Sequence, residues 1–107
     1  MTSLSTDIDE AIAALHPDQG KPVVMLVDDQ PRNSRLLQAQ LGMEHFDYML
    51  AQSGEEALNQ IRDRLPDLII LDYMMPGMNG QQVAMALKQE VRTRNIPVIM
   101  LTALSDH

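Results

Sequence analysis

The chain contains no cysteine, which removes disulfide frameworks, thiolate metal sites and cysteine nucleophiles from consideration. That absence fits a reducing compartment, and a cytoplasmic location is expected. No apolar run approaches the length of a membrane span, so no membrane association is expected. The N-terminus shows neither a basic flank nor an apolar run, and hence no export signal. Positive charge is scarce: eight Lys and Arg face fifteen Asp and Glu, for a formal charge of −7. A protein that tracks nucleic-acid phosphates needs a basic surface to release counterions, so direct nucleic-acid binding is not expected. An acidic balance suits a protein that gathers cations such as Mg²⁺. Aromatics are few, with one Phe, two Tyr and no Trp against nine Met, which implies an adaptable aliphatic core. Internal repeats and low-complexity tracts are absent, and no glycine-rich nucleotide fingerprint follows Val27. At 107 residues and 45% hydrophobic content, the chain is long enough for one compact domain.

Residues 1–22 differ from the rest. Ile8, Ile12 and Leu15 recur at helical spacing, Thr6 and Asp9 are placed as a capping box, and Pro17 and Gly20 close the segment. A short amphipathic helix and a disordered leader are both compatible with this pattern, because helices so short are marginal alone. Gly20-Lys21-Pro22 reads as a linker.

From residue 23 to 107 the rhythm changes. Val23 to Val27 is apolar at every position and ends in Asp28-Asp29. Leu68 to Leu71 ends in Asp72, and Val98 to Leu101 ends in Thr102. Strands apolar on both faces are those buried between two helical layers, as in parallel sheets. A fourth strand, Phe46 to Ala51, is less uniformly apolar and reads as an edge. Between the strands lie three helical patterns. Pro31 opens the first, with Leu36, Leu37 and Leu41 along it and Gly42 as a stop. Ser53 and Glu56 form a capping-box pair ahead of Ala57, Leu58, Ile61 and Leu65, with Pro66 as terminator. Val83, Ala84, Leu87 and Val91 mark a third helix starting near Gly80. The order β-α-β-α-β-α-β, joined by right-handed crossovers, implies an α/β fold with a doubly wound parallel sheet.

Three strands thus deliver an oxygen-bearing residue at the C-terminal end, where open α/β sheets form their ligand crevice. Asp28, Asp29, Asp72 and Thr102 are expected to converge on one rim. A single Asp at a strand end is usually a turn former; three strands ending this way call for a shared role.

These pieces resemble the receiver domain of bacterial two-component response regulators. The matching segments are Val27-Asp28-Asp29, Leu71-Asp72, Met75-Pro76-Gly77-Met78-Asn79-Gly80 and Leu101-Thr102-Ala103. The resemblance runs from about Val23 to the C-terminus. It implies a flavodoxin-like sheet of strand order 2-1-3-4-5, and a phosphoacceptor signalling domain that receives a phosphoryl group on Asp72 from a histidine kinase or phosphotransfer protein. Such a domain catalyses only its own aspartyl phosphorylation and dephosphorylation, and passes the signal to an output domain. An incoming phosphoryl dianion would be repelled by three carboxylates, so a cation must intervene, and Mg²⁺ suits oxygen ligands. The resemblance implies that Asp29 and Asp72 bind Mg²⁺ directly, Asp28 through water, and Met74 through its backbone carbonyl. Thr102 would donate its hydroxyl to a phosphoryl oxygen. Like-charge repulsion should raise the apparent pKa of at least one carboxylate without metal.

The family's fold continues with a further helix, a strand carrying a lysine and a last helix, and the chain stops at His107. The expectation is therefore an incomplete fold: a trimmed chain, a proteolytic remnant, or a protein completed by another chain. Lys21 and Lys88 do not match the lysine's motif. Val98 to Leu101 would be an exposed edge open to homodimerisation or domain swapping, with the Ile8/Ile12/Leu15 helix covering part of the open face. Two other classes compete. A dehalogenase-like phosphatase needs a second Asp two residues after the nucleophile, where Met74 stands. A pseudo-receiver would bind partners without being phosphorylated. His16, His45 and His107 lack ligand spacing and read as surface residues. Arg32 and Arg35 lie where a phosphodonor protein could be contacted, although a solvated helix face is the default. Met74, Met75 and Met78 offer either a partner surface or loop packing, with packing preferred.

Overall fold

A computed structural model describes residue 10 and residues 20–101. The proposed N-terminal helix through Ile8, Ile12 and Leu15 lies outside the described residues, as do His16, Thr102, Ala103 and His107. The elements are β1 (Val23–Val27), α1 (Pro31–Leu41), β2 (Asp47–Ala51), α2 (Gly54–Asp63), β3 (Leu68–Asp72), α3 (Gly80–Gln89) and β4 (Val98–Leu101). All strand pairs are parallel and the order is β2-β1-β3-β4, the flavodoxin-like arrangement.

Given that order, crossover handedness decides which face each helix covers. The chain steps outward from β1 to β2, then returns past β1 to β3 and on to β4. Right-handed connections in opposite directions place helices on opposite faces. Accordingly, Ala57 and Ile61 of α2 and Val83 and Leu87 of α3 pack with Met25, Val27, Ile69 and Leu71. Leu37 and Leu41 of α1 pack on the other face, with Val24, Leu26, Leu68 and Ile70. Every residue of β1 and β3 is buried, as a strand between two layers requires. The direction of winding reverses between these two strands.

Three apolar residues expected on inward helix faces turn out otherwise. Leu36 is 58% exposed, because buried Ser34 and half-buried Leu37 and Leu41 define the inward stripe and Leu36 sits one residue off it. Leu65 lies beyond the end of α2 and is exposed. Pro66 disfavours helical backbone at the residue before it, and Arg64 is already extended, at φ −149 and ψ 127. Val91 is 79% exposed, since α3 ends at Gln89 and the buried Thr93 hydroxyl donates to the Leu87 carbonyl at 2.5 Å.

The helix starts show two capping devices. Ser53 Oγ accepts the Glu56 N–H at 3.0 Å, but the Glu56 carboxylate accepts the N–H of Gln52 rather than that of Ser53. The expected box is therefore offset by one residue. A full reciprocal box occurs instead at α3, between Asn79 and Gln82.

Helix α2 meets α3 at Gly54. A Cβ there would lie 2.5 Å from Val83 Cγ2 and 2.9 Å from Met78 Sδ, and a β-branched valine in a helix has little rotamer freedom to yield. Gly54→Ala should therefore destabilise the fold by about 1–2 kcal/mol despite alanine's better helix propensity. Urea denaturation tests this; unchanged or increased stability would show that the helices can separate at little cost.

Candidate functional site

The register of the two central strands builds the site. Val27 pairs with Leu71, so the next residues, Asp28 and Asp72, stand side by side across a strand spacing of about 4.8 Å. Asp72 pairs in turn with Leu101 of β4. Side chains alternate faces along a strand, so this row continues the face that α1 covers. Asp29 follows as the chain leaves β1. The carboxylates of Asp28, Asp29 and Asp72 each bring an oxygen within 4.8 Å of the others. They line a cleft of about 240 Å³ together with Asn33, Met74 and Leu101.

The three acids are not equivalent. Asp28 is 6% exposed and Asp72 9%, whereas Asp29 is half-buried. Asp28 is tied to the start of α1: its Oδ1 accepts the Gln30 N–H at 2.8 Å, and its Oδ2 accepts Asn33 Nδ2 at 3.2 Å. Asp72 Oδ1 accepts the Met74 N–H at 3.2 Å. The Asp28 carboxyl is held above its usual range. Burial is the largest cause; the Gln30 and Asn33 bonds oppose it, and the Asp29 charge adds a smaller push upward. The direction matches expectation, but removal from water outweighs the like-charge repulsion that was expected to drive it.

The loop after β3 is folded tightly behind the acids. Gly77 adopts φ +76, a left-handed conformation that glycine reaches without steric cost. The Gly80 N–H donates to the Tyr73 carbonyl at 3.0 Å. A Cβ on Gly80 would lie 2.6 Å from the Asp72 carbonyl oxygen, so α3 can begin this close to the strand end only with glycine there. Met75 is buried and Met78 packs against the core, which is the loop-packing role. Met74 is 58% exposed at the cleft.

Three hard oxygen donors suit Mg²⁺ or a similar ion. Ligand oxygens at roughly 2.0–2.1 Å from an ion are at most about 4.2 Å apart. The three carboxylate oxygens, all within 4.8 Å of one another, are close enough to share one ion, directly or with a water between it and one of them. Thr102, the other expected site residue, lies outside the described residues, directly after Leu101. Asn33 was not anticipated: as a polar residue in the first turn of a helix it carries no signal beyond its spacing from Asp28. Arg32 and Arg35 are exposed on α1, and Lys21, Lys88 and His45 are exposed as well.

Residues 24–107 match the family model described as the response regulator receiver domain. The chain is 46% identical over 81 residues to response regulator PleD of Caulobacter vibrioides, covering 76% of this chain and 18% of that protein. Among solved structures, the N-terminal domain of a response regulator receiver protein from Methanoculleus marisnigri superposes with a TM-score of 0.72. It is 36% identical, with 77% of this chain and 67% of that one covered. The Mn²⁺-bound form of response regulator Rcp1 gives a TM-score of 0.69 at 29% identity, covering 76% and 65%. The chain belongs to the response regulator receiver domain family. It spans less than a fifth of PleD, at 18%. Among the described residues no helix is long and apolar enough to cross a membrane.

The raised Asp28 pKa sets a pH dependence. The folded chain binds this proton more tightly than the unfolded chain, whose value lies near 3.8. The group's favourable contribution is complete below that value and is lost as pH rises through the raised one. Once ionised, the buried Asp28 therefore destabilises the metal-free fold. Asp28→Asn, with Asn33 turning its carbonyl toward the new amide, should melt above wild type at pH 7 in EDTA. The gap should close as pH falls toward the ordinary carboxylate value, and an equal or lower melting temperature at pH 7 would contradict this.

Proposed function

We propose that this chain is the phosphoacceptor domain of a two-component response regulator, with Asp72 receiving a phosphoryl group from a histidine kinase or phosphotransfer protein. One observation carries the reading: Asp72 ends an interior strand, 9% exposed, in a cleft where two further carboxylates stand within 4.8 Å. In the transfer, a carboxylate oxygen of Asp72 bonds to phosphorus as the phosphorus–nitrogen bond of the donor histidine breaks. The imidazole keeps the electron pair and takes up a proton. The product is an acyl phosphate, reactive enough for later hydrolysis.

Phosphoryl transfer depends on positioning and charge neutralisation more than on covalent assistance. Asp29 and Asp72 would hold Mg²⁺ directly, Asp28 through water, and Met74 through its backbone carbonyl. Bound there, the ion supplies the positive charge that lets a phosphoryl dianion approach three carboxylates. The Mn²⁺-bound form of Rcp1, a structural neighbour, supports a hard divalent ion in this role. Met74 N–H fixes the Asp72 carboxylate from the loop side, and Gly80 keeps the Asp72 backbone seated against α3. The Thr102 hydroxyl donates to a phosphoryl oxygen. The domain turns over no metabolite; its only reactions are its own phosphorylation and dephosphorylation, and an output domain reads the change. Self-association through β4 is a second kind of contact, supported by its pairing with β3 alone among the described residues and by half-exposed Val98, Ile99 and Met100.

Intact-mass measurement after treatment with acetyl phosphate and Mg²⁺ tests the assignment. Wild type should gain one phosphoryl group and Asp72→Asn none. An equal gain in both would move the acceptor elsewhere, and no gain in wild type would leave a partner-binding module that is not phosphorylated.

A further inference from the structure

Among the side chains lining the acidic cleft, Asn33 carries no carboxylate yet hydrogen-bonds to one of the acids. Asn33 occupies the first turn of α1, two residues after Pro31. Asparagine is a weak helix former there unless its side chain finds a partner. It does not cap the helix, for Gln30 at the cap position makes no side-chain bond and the helix opens on proline. Instead its Nδ2 crosses back over the turn to Asp28 Oδ2 at 3.2 Å. The Gln30 N–H holds the other oxygen, Oδ1, at 2.8 Å. Two donors from one helix start thus converge on the two oxygens of one carboxylate.

A carboxylate held at a single oxygen can still rotate about that bond. Held at both, its plane is set, and so are the directions of its remaining lone pairs. Of the two donors only Asn33 is a side chain, and its NH₂ group matches an ionised acceptor in a way that a carboxylate at the same place would not. Asn33 also lines the cleft that Asp29 and Asp72 share, so the orientation it imposes is expressed where those acids meet.

We propose that Asn33 is a positioning residue for the divalent ion, acting through Asp28 by fixing the plane of its carboxylate toward the ion's water shell. The inference rests on the metal-binding reading given above and adds to it a residue outside the acidic set. Outer partners that orient metal ligands commonly change affinity by about tenfold or more when removed. Asn33 is exposed overall, so its removal perturbs the fold little.

The test is Mn²⁺ binding followed by the electron paramagnetic resonance signal of the free ion, on the whole chain and without phosphodonor. Asn33→Ala should bind Mn²⁺ about tenfold more weakly than wild type, while its melting temperature in EDTA stays within a few degrees. In an Asp28→Ala background, where Asp29 and Asp72 still hold Mn²⁺ weakly, adding Asn33→Ala should change affinity by less than about twofold. That non-additivity separates orientation of Asp28 from a general structural effect. Equal affinities of wild type and Asn33→Ala would overturn the proposal while leaving the metal site standing. So would a tenfold loss repeated in the Asp28→Ala background, which would mean that Asn33 acts by another route. Complete loss of binding in Asp28→Ala alone would contradict a water-mediated place for Asp28, and the proposal with it. Absence of Mn²⁺ binding by wild type would remove the metal reading itself.

Discussion

The parallel pairing of β1 with β3 is the constraint on which the rest of the molecule depends. Side chains alternate faces along a strand, so a slip of one residue would turn Asp28 and Asp72 to opposite sides of the sheet. Two features hold the register. Both strands are buried along their whole length, which penalises any slip that carries apolar residues out of the core. At the far end from the acids, Asp67 clamps the entry to both strands. Its N–H donates to the Val23 carbonyl and its Oδ2 accepts the Val23 N–H, each at 2.7 Å. The position of the cleft is thus set partly by a residue at the opposite end of the central strands.

Around that pairing the chain gathers structure that brings negative charges together, against their mutual repulsion. The start of α1 supplies two hydrogen bonds to Asp28. The loop after β3, turned at Gly77 and closed by the Gly80 N–H on Tyr73, supplies one to Asp72. None of these donors carries a full positive charge. The Gln30, Asn33 and Met74 donors therefore orient Asp28 and Asp72 without neutralising them. The burial that pushes the Asp28 pKa upward expresses the same tension in the metal-free chain.

Much of this was legible in the amino-acid sequence. Continuous apolar runs located β1 and β4 with their observed limits, although burial on both faces holds along β1 and, in β4, only at Leu101. β3 proved one residue longer, since Asp72 pairs with Leu101 within the ladder. β2 starts at Asp47 because Phe46, though buried, joins the core just before pairing begins. The convergence of the acids followed from topology. The order of the strands came only from family resemblance, since periodicity does not record which strand neighbours which. Leu36, Leu65 and Val91 were misread for a common reason: apolar spacing marks a helical stripe but not where a helix stops or which neighbours complete the stripe. Asn33 and the unequal burial of Asp28 and Asp29 depend on how one turn folds back, and no local pattern encodes that.

Mapping where a paramagnetic ion sits is the decisive measurement for the cleft between β1 and β3. Substoichiometric Mn²⁺ added to ¹⁵N-labelled protein should first erase the backbone amide signals of Asp28, Asp29, Asp72 and Tyr73, leaving those of Asp63 and Gln89 sharp. Broadening centred on Glu55 and Glu56, or none at millimolar ion, would contradict a shared cation site at the ends of β1 and β3.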